Sequence, residues 1–319
     1  MSAAPALRIA YFGTPQFAVP TLAALMASRH PVVGVVTQPD RPRGRGQRLL
    51  PGAVKALATE HDIPVYQPDR LRDPAVAATL AEWAPDLGVV AAYGKLIPEE
   101  LLALPRLGMI NVHASLLPKF RGAAPVHRAV LAGETETGVT IMRVVKALDA
   151  GGMFAEVRRP IGPDDTSDAV ERDLSSAGAS LLLKVVEALA HGTAQEEPQD
   201  AALATYAERL TKAEGLIDWT RAAATIHNQV RGLHPWPHAY TYLGGERLIV
   251  LRTRTTDAAS AAIPGTVTTA DRDGIVVAAG DGHHLAILEV QPEGRRAMPV
   301  RDFLSGHPVA PGTPLTGAP

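Results

Sequence analysis

The run "GMINVHASLLPKFRG" sets an amide, Asn111, and an imidazole, His113, two positions apart in an apolar context. Successive side chains of a strand point to opposite faces, so Asn111 and His113 share one face while Ile110 and Val112 take the other. Pro118 cannot donate to a ladder and turns Leu117 away from helix, so the strand must end near that point. "RGAAPVHRAVLAG" then has the composition of a helix. An amide donates hydrogen bonds without titrating, and an imidazole can donate or exchange a proton near neutral pH. Together they suit a carbonyl whose oxygen turns negative as a nucleophile adds. The spacing alone fits equally well a polar strand edge with a histidine satisfied by its neighbours.

An imidazole used in this way needs an orienting partner. "LDAGGM" offers Asp149 after the apolar run "GVTIMRVV" and ahead of Gly151 and Gly152. Glycines allow a loop to approach a ligand closely, and a carboxylate beside an imidazole favours its charged form and holds its orientation. Read by itself, the same string is a turn built on an aspartate.

The elements that must position these groups alternate along the first half of the chain. "LRIAYFG", "HPVVGVVT", "LGVVAAYG" and "GMINVHASL" are strand-like, and "FAVPTLAALMASR" and "VAATLAEWA" between them are of helical length and composition. This order predicts an α/β fold with a mostly parallel, Rossmann-like sheet, in which ligands collect at the carboxyl ends of the strands. The expected organisation is a catalytic domain over 1–195, a linker over 196–207 and a small β-barrel over 208–305. A disordered tail over 306–319 is expected from its proline and glycine content. The barrel reading rests on "AYTYL", "RLIVLRTR", "PGTVTTA", "GIVVAAG" and "HLAILEVQ", which follow the single helix "WTRAAATIHNQVRGL". Trp236, between Pro235 and Pro237, reads as a packed core aromatic.

Composition removes several classes. The 319 residues are 46% hydrophobic and 20% charged, which suits two globular domains, and no apolar run is long enough to cross a bilayer. Without cysteine there is neither a disulfide framework nor a thiolate metal site or nucleophile, which fits a cytoplasmic protein. A formal charge of −2 carries no global nucleic-acid signature, so such contacts must be local. One local candidate exists. "RPRGRGQR" holds Arg41, Arg43, Arg45 and Arg48 around Gly44 and Gly46, with no acid among them. Arginine forks onto phosphate, although charge runs more often face water. A dinucleotide motif is excluded because Leu49 stands where the third glycine is required.

The stretch from "GMINVHASLLPKFRG" to "LDAGGM" resembles the core of the folate-dependent formyltransferases. The resemblance implies that Asn111, His113 and Asp149 are the catalytic trio. It also implies that Ser115, Leu116, Leu117 and Pro118 line the pocket for the co-substrate 10-formyltetrahydrofolate, with no metal. "FGTPQFAVPTL", "TQPDRPRGRGQRLLP", "ERLTKAEGLIDW" and "LHPWPHAYT" are similar to the branch of that family whose acceptor is methionyl-initiator tRNA. In that branch Arg45 would reach the acceptor stem, with Arg43 and Arg48 on phosphates, and the barrel would be an OB-like tRNA-binding domain. The expected enzyme is a monomer with no membrane association. From residue 207 onward the basic residues only balance the acidic ones. A basic stripe there would have to come from Lys212, Arg247, Arg252 and Arg254. A sister enzyme with another amine acceptor would share the trio and lack the arginine loop. A purely tRNA-binding module would have no use for the trio.

Overall fold

Ile9–Gly13 (β1) and Leu87–Ala91 (β6) run side by side and parallel through the centre of a seven-stranded sheet. The computed structural model describes residues 4–43 and 48–318. Between these strands come α1 (Val19–Met26), β2 (Val32–Val36), a short hairpin of β3 (Arg41–Arg43) and β4 (Arg48–Leu50), α2 (Ala53–Glu60), β5 (Val65–Tyr66) and α3 (Pro74–Trp83). After β6 follow α4 (Glu99–Leu102), β7 (Met109–His113), β8 (Arg121–Gly122), α5 (Pro125–Leu131), β9 (Glu136–Arg143), β10 (Met153–Pro160) and α6 (Ser167–His191). The sheet order is β10-β9-β7-β6-β1-β2-β5, with β7 parallel to β6 and antiparallel to β9. β1 and β6 are buried throughout, as strands covered by helices on both faces must be. The expected Rossmann-like, mostly parallel sheet is therefore present.

The chain divides into two compact units. The first is Met1–Pro125, Glu136–Arg159 and Glu171–Ala207; the second is Val126–Thr135, Pro160–Val170 and Glu208–Pro319. Two pieces of the expected catalytic domain thus group with the second unit, for a physical reason within that unit. Arg128 pairs with Glu214 at 2.5 Å, and the buried Arg231 donates to the carbonyls of Gly162 and Asp165 at 3.2 Å.

The expected linker is structured as part of the first unit. Met153 and Glu197 form a bridge, and Tyr206–Ala207 (β11) pairs in parallel with β8. Polarity concealed this in the sequence, because the contacts are mostly through backbone.

In the second unit, Ala223–Gly232 (α7) is followed by β12 (Ala239–Leu243), β13 (Glu246–Ala259), β14 (Val267–Asp271), β15 (Gly274–Ala278), β16 (His283–Pro292), β17 (Met298–Pro299), α8 (Val300–Gly306) and β18 (Leu315–Thr316). The sheet is antiparallel in the order β14-β15-β16-β13-β12-β18, with β17 beside β16. Expected to be disordered, the tail instead takes part in this sheet. β18 pairs with β12, while Pro314 bridges Thr266 and Leu315 N–H donates to Gly265 at 2.8 Å. The tail therefore links the two ends of the sheet, and Leu315 is buried in its core. Three prolines and glycines in "APGTP" masked one apolar residue with a place to go.

Trp236 is also corrected. It is 49% exposed, because the flanking prolines hold it off any strand. The core tryptophan is Trp219, whose indole donates to Thr241 Oγ1 at 3.1 Å. Lys212, Arg252 and Arg254 are exposed, and the Arg247 guanidinium lies 4.0 Å over the Tyr240 ring. Among the described residues no helix is long and apolar enough to cross a membrane.

Candidate active site

β7 leads from the core of the first unit to the site. Met109, at its start, belongs to an apolar cluster with Ala10, Phe12, Val90 and Tyr93. On the same face, Asn111 is half-buried and His113 is 5% exposed. Val112 points the other way, towards Gly178 of α6. One face of a single strand thus changes from methionine to amide to imidazole as it reaches the carboxyl end of the sheet. The Asn111 carboxamide has no hydrogen-bond partner among the described residues, so its donors remain available to a ligand.

The His113 ring is oriented from both sides. Its Nε2 lies 3.0 Å from the Phe120 carbonyl oxygen. A carbonyl only accepts, so this nitrogen carries the proton of the neutral ring. Nδ1 then faces Asp149 Oδ2 at 3.7 Å, which is ion-pair rather than hydrogen-bond distance. The same Oδ2 accepts the Gly122 N–H at 2.7 Å. His113 and Asp149 therefore approach each other, although 36 residues separate them in the chain.

Backbone strain is concentrated at these contacts. Phe120 has φ 58, Gly122 φ 116 and Asp149 φ 47. A non-glycine residue held there costs on the order of 1–3 kcal/mol, which the surrounding structure must offset. At Gly122 a Cβ would lie 2.9 Å from the Ala207 carbonyl, and at Gly151 it would collide with the Arg143 carbonyl. Gly151 thus serves close backbone packing, while Gly152 makes room for the Glu196 side chain.

Gln199 supplies a group that sequence reading missed. Its Nε2 donates to the carbonyls of Asp149 (2.8 Å) and Gly151 (2.7 Å). Its Oε1 accepts from Arg121 Nε (3.1 Å) and Nη2 (2.7 Å), and Arg121 is buried. A glutamine in a polar stretch carries no periodicity that could have marked it. Thr140, opposite His113 across the β7–β9 ladder, was missed too. Its hydroxyl donates to the Ser115 carbonyl at 2.8 Å and accepts from Leu117 N–H at 3.2 Å. Ser115 Oγ donates to the Lys119 carbonyl at 2.7 Å. Ser115 and Leu117 are buried, whereas Leu116 and Pro118 are half-buried and keep surface for contact. In the arginine loop, Arg43 and Arg48 face each other in the β3–β4 register, and Arg45 lies outside the described residues.

An α/β sheet with an amide, an imidazole and a carboxylate gathered at its carboxyl end defines a class, and the comparisons agree with it. Residues 7–186 match the formyl transferase family and residues 209–308 match the formyl transferase C-terminal domain; the chain belongs to this family. Within it the chain belongs with the methionyl-tRNA formyltransferases. It is 47% identical to that of Geobacter sulfurreducens, covering 97% of this chain and 96% of the relative. It is 46% identical to that of Moorella thermoacetica, covering 96% and 98%. In fold it is similar to HypX from Aquifex aeolicus in complex with tetrahydrofolic acid, with a TM-score of 0.61 and 17% identity. That likeness covers 94% of this chain and 47% of the other, about half its length.

Proposed function

We propose that the protein transfers the formyl group of 10-formyltetrahydrofolate to the α-amino group of methionine esterified to initiator tRNA. The observation that carries this reading is the approach of Asp149 to His113 Nδ1 at 3.7 Å, on the strand whose Asn111 amide has no hydrogen-bond partner among the described residues. An α-amino group has a reference pKa near 8 and an adjacent ester lowers it, so much of the acceptor amine is neutral. Its lone pair attacks the formyl carbon. The C–N bond to the methionine forms, the bond to the folate nitrogen breaks, and the proton lost by the amine balances the one gained by the leaving nitrogen.

In this reading the carbonyl oxygen, as it becomes negative, takes a hydrogen bond from the Asn111 amide, and the positive charge of the imidazolium beside it adds stabilisation. A proton at Nδ1 of His113 is met by the Asp149 carboxylate, which stabilises the imidazolium and fixes the ring. Leu116 and Pro118 contribute apolar lining for the folate, with Ser115 and Leu117 shaping the turn beneath them. The arginine-rich stretch of the sequence, through Arg43, Arg45 and Arg48, engages the acceptor stem, and the second unit acts as an OB-like tRNA-binding domain. The enzyme works as a cytoplasmic monomer.

The test is a formylation assay with methionyl-initiator tRNA and 10-formyltetrahydrofolate, run beside amino sugars and glycinamide ribonucleotide as acceptors. Turnover on the charged tRNA alone is expected. Turnover on another acceptor, or none on any, would overturn the reading.

A further inference from the structure

Asp149 is held at two points, and both lead to the same pair of side chains. Its carboxylate accepts the Gly122 N–H, and its carbonyl accepts Gln199 Nε2. Gln199 in turn receives the Arg121 fork, and Arg121 is the residue before Gly122. The four residues close a ring: Asp149 carbonyl, Gln199, Arg121, Gly122 N–H and back to the Asp149 carboxylate. We propose that Gln199, braced by Arg121, is a positioning residue for the reaction, setting the place of Asp149 and through it the ring of His113.

The chemistry of Gln199 suits this purpose. Its amide donates twice and accepts twice, so one side chain can clamp two carbonyls of the 149–151 loop while accepting a bidentate guanidinium. The loop needs such a clamp, since Asp149 rests in the left-handed region at φ 47 and would relax if released. The 3.7 Å separation gives no direct hydrogen bond between carboxylate and imidazole. Their geometry is therefore set by what holds each group from behind. A shift of about 1 Å in a reacting constellation can cost on the order of a hundredfold in rate. The proposal rests on the role of the trio given above.

Two variants separate the clamp from simple structural support. Gln199→Glu keeps the shape and the acceptor for Arg121 but removes both donations to the loop; Gln199→Leu removes everything. Both are expected to lower kcat by roughly ten- to a hundredfold, with KM for tRNA and folate changed less than about threefold. In Gln199→Leu with labelled histidine, the NMR signal of His113 Nδ1 should change as the carboxylate drifts from it, while the ring signals of His30 stay. A folded Gln199→Glu protein with kcat within about twofold of wild type overturns the proposal. So does a loss of kcat with an unchanged His113 ring signal. Asp149→Asn is measured alongside: if it too is fully active, the reading of the trio has failed, whereas an inactive Asp149→Asn beside an active Gln199→Glu rejects the clamp alone.

Discussion

Two of the histidine–carboxylate pairs in the first unit, His30–Glu187 and His113–Asp149, are built differently. His30 has a fully buried side chain; its Nδ1 accepts the Leu7 N–H at 2.9 Å and its Nε2 lies 3.1 Å from Glu187 Oε1. Both ring nitrogens are committed, the first as acceptor and so the second as donor, which leaves neither open to another partner. Glu187 is further gripped by Arg29, with Nη2 to Oε2 at 2.6 Å. His113 instead has one nitrogen bonded to a carbonyl and the other facing Asp149 beyond hydrogen-bond distance. A histidine near a carboxylate is thus no mark of chemistry by itself. What separates the two is whether one nitrogen is left without a hydrogen bond.

That contrast can be broken or sharpened by mutation. The largest expected effect is that of Asp149→Asn, which should cut kcat by about a thousandfold or more while the melting temperature stays close to wild type. His113→Ala should match it. A thermal melt beside single-turnover formylation checks both, and near-normal turnover in either would erase the distinction between the pairs. Asn111→Ala is next, at roughly a hundred- to a thousandfold in kcat, as for one donor lost from an oxyanion site.

Gly122→Ala should fall between chemistry and stability. The new Cβ would press on the Ala207 carbonyl at 2.9 Å in a left-handed backbone, so a destabilisation of about 1–3 kcal/mol and a reduced kcat are expected together. Urea unfolding and a rate assay on the same sample test it. At His30 the prediction reverses. His30→Ala leaves the Leu7 N–H buried without its acceptor and should cost about 1–3 kcal/mol, with the rate per folded molecule unchanged.

The smallest effect is at Glu187. The Arg29 hydrogen bonds, aided by His30, hold its carboxyl down at about 2, against an ordinary 4.5. A carboxyl lowered by folding adds stability that is complete above its unfolded value and is lost as pH falls towards its folded one. Wild type should therefore lose more stability than Glu187→Gln between about pH 4.5 and 2. The carboxylate is partly exposed, so the difference should be small and shrink further in salt. Parallel slopes for the two proteins would contradict it.

Much of this was legible from the chain alone, for reasons that are local. The alternation of Ile110, Asn111, Val112 and His113 is a property of extended backbone, so the shared face followed from spacing. The parallel sheet followed from the order of apolar runs, and Asp149 stood out because two glycines follow it. The reading failed where a residue's role depends on distant backbone. Trp236 and Trp219 are both tryptophans in polar surroundings, and only the fold decides that Trp219 fills the core. The tail looked unstructured because its composition is that of a loop, yet one leucine and a few backbone groups let it join two strands.

By itself, then, the order of side chains determined which groups share a strand face and which loop follows each strand, because those relations span only a few residues. Tertiary structure alone decided that Asp149 faces Nδ1 of His113, that Phe120 fixes the other nitrogen, and that Gln199 and Arg121 brace the loop. Those are contacts between backbone and side-chain polar groups far apart in the chain. Hydrogen bonding to a carbonyl requires nothing of the partner's identity, so it leaves no trace in the order of residues.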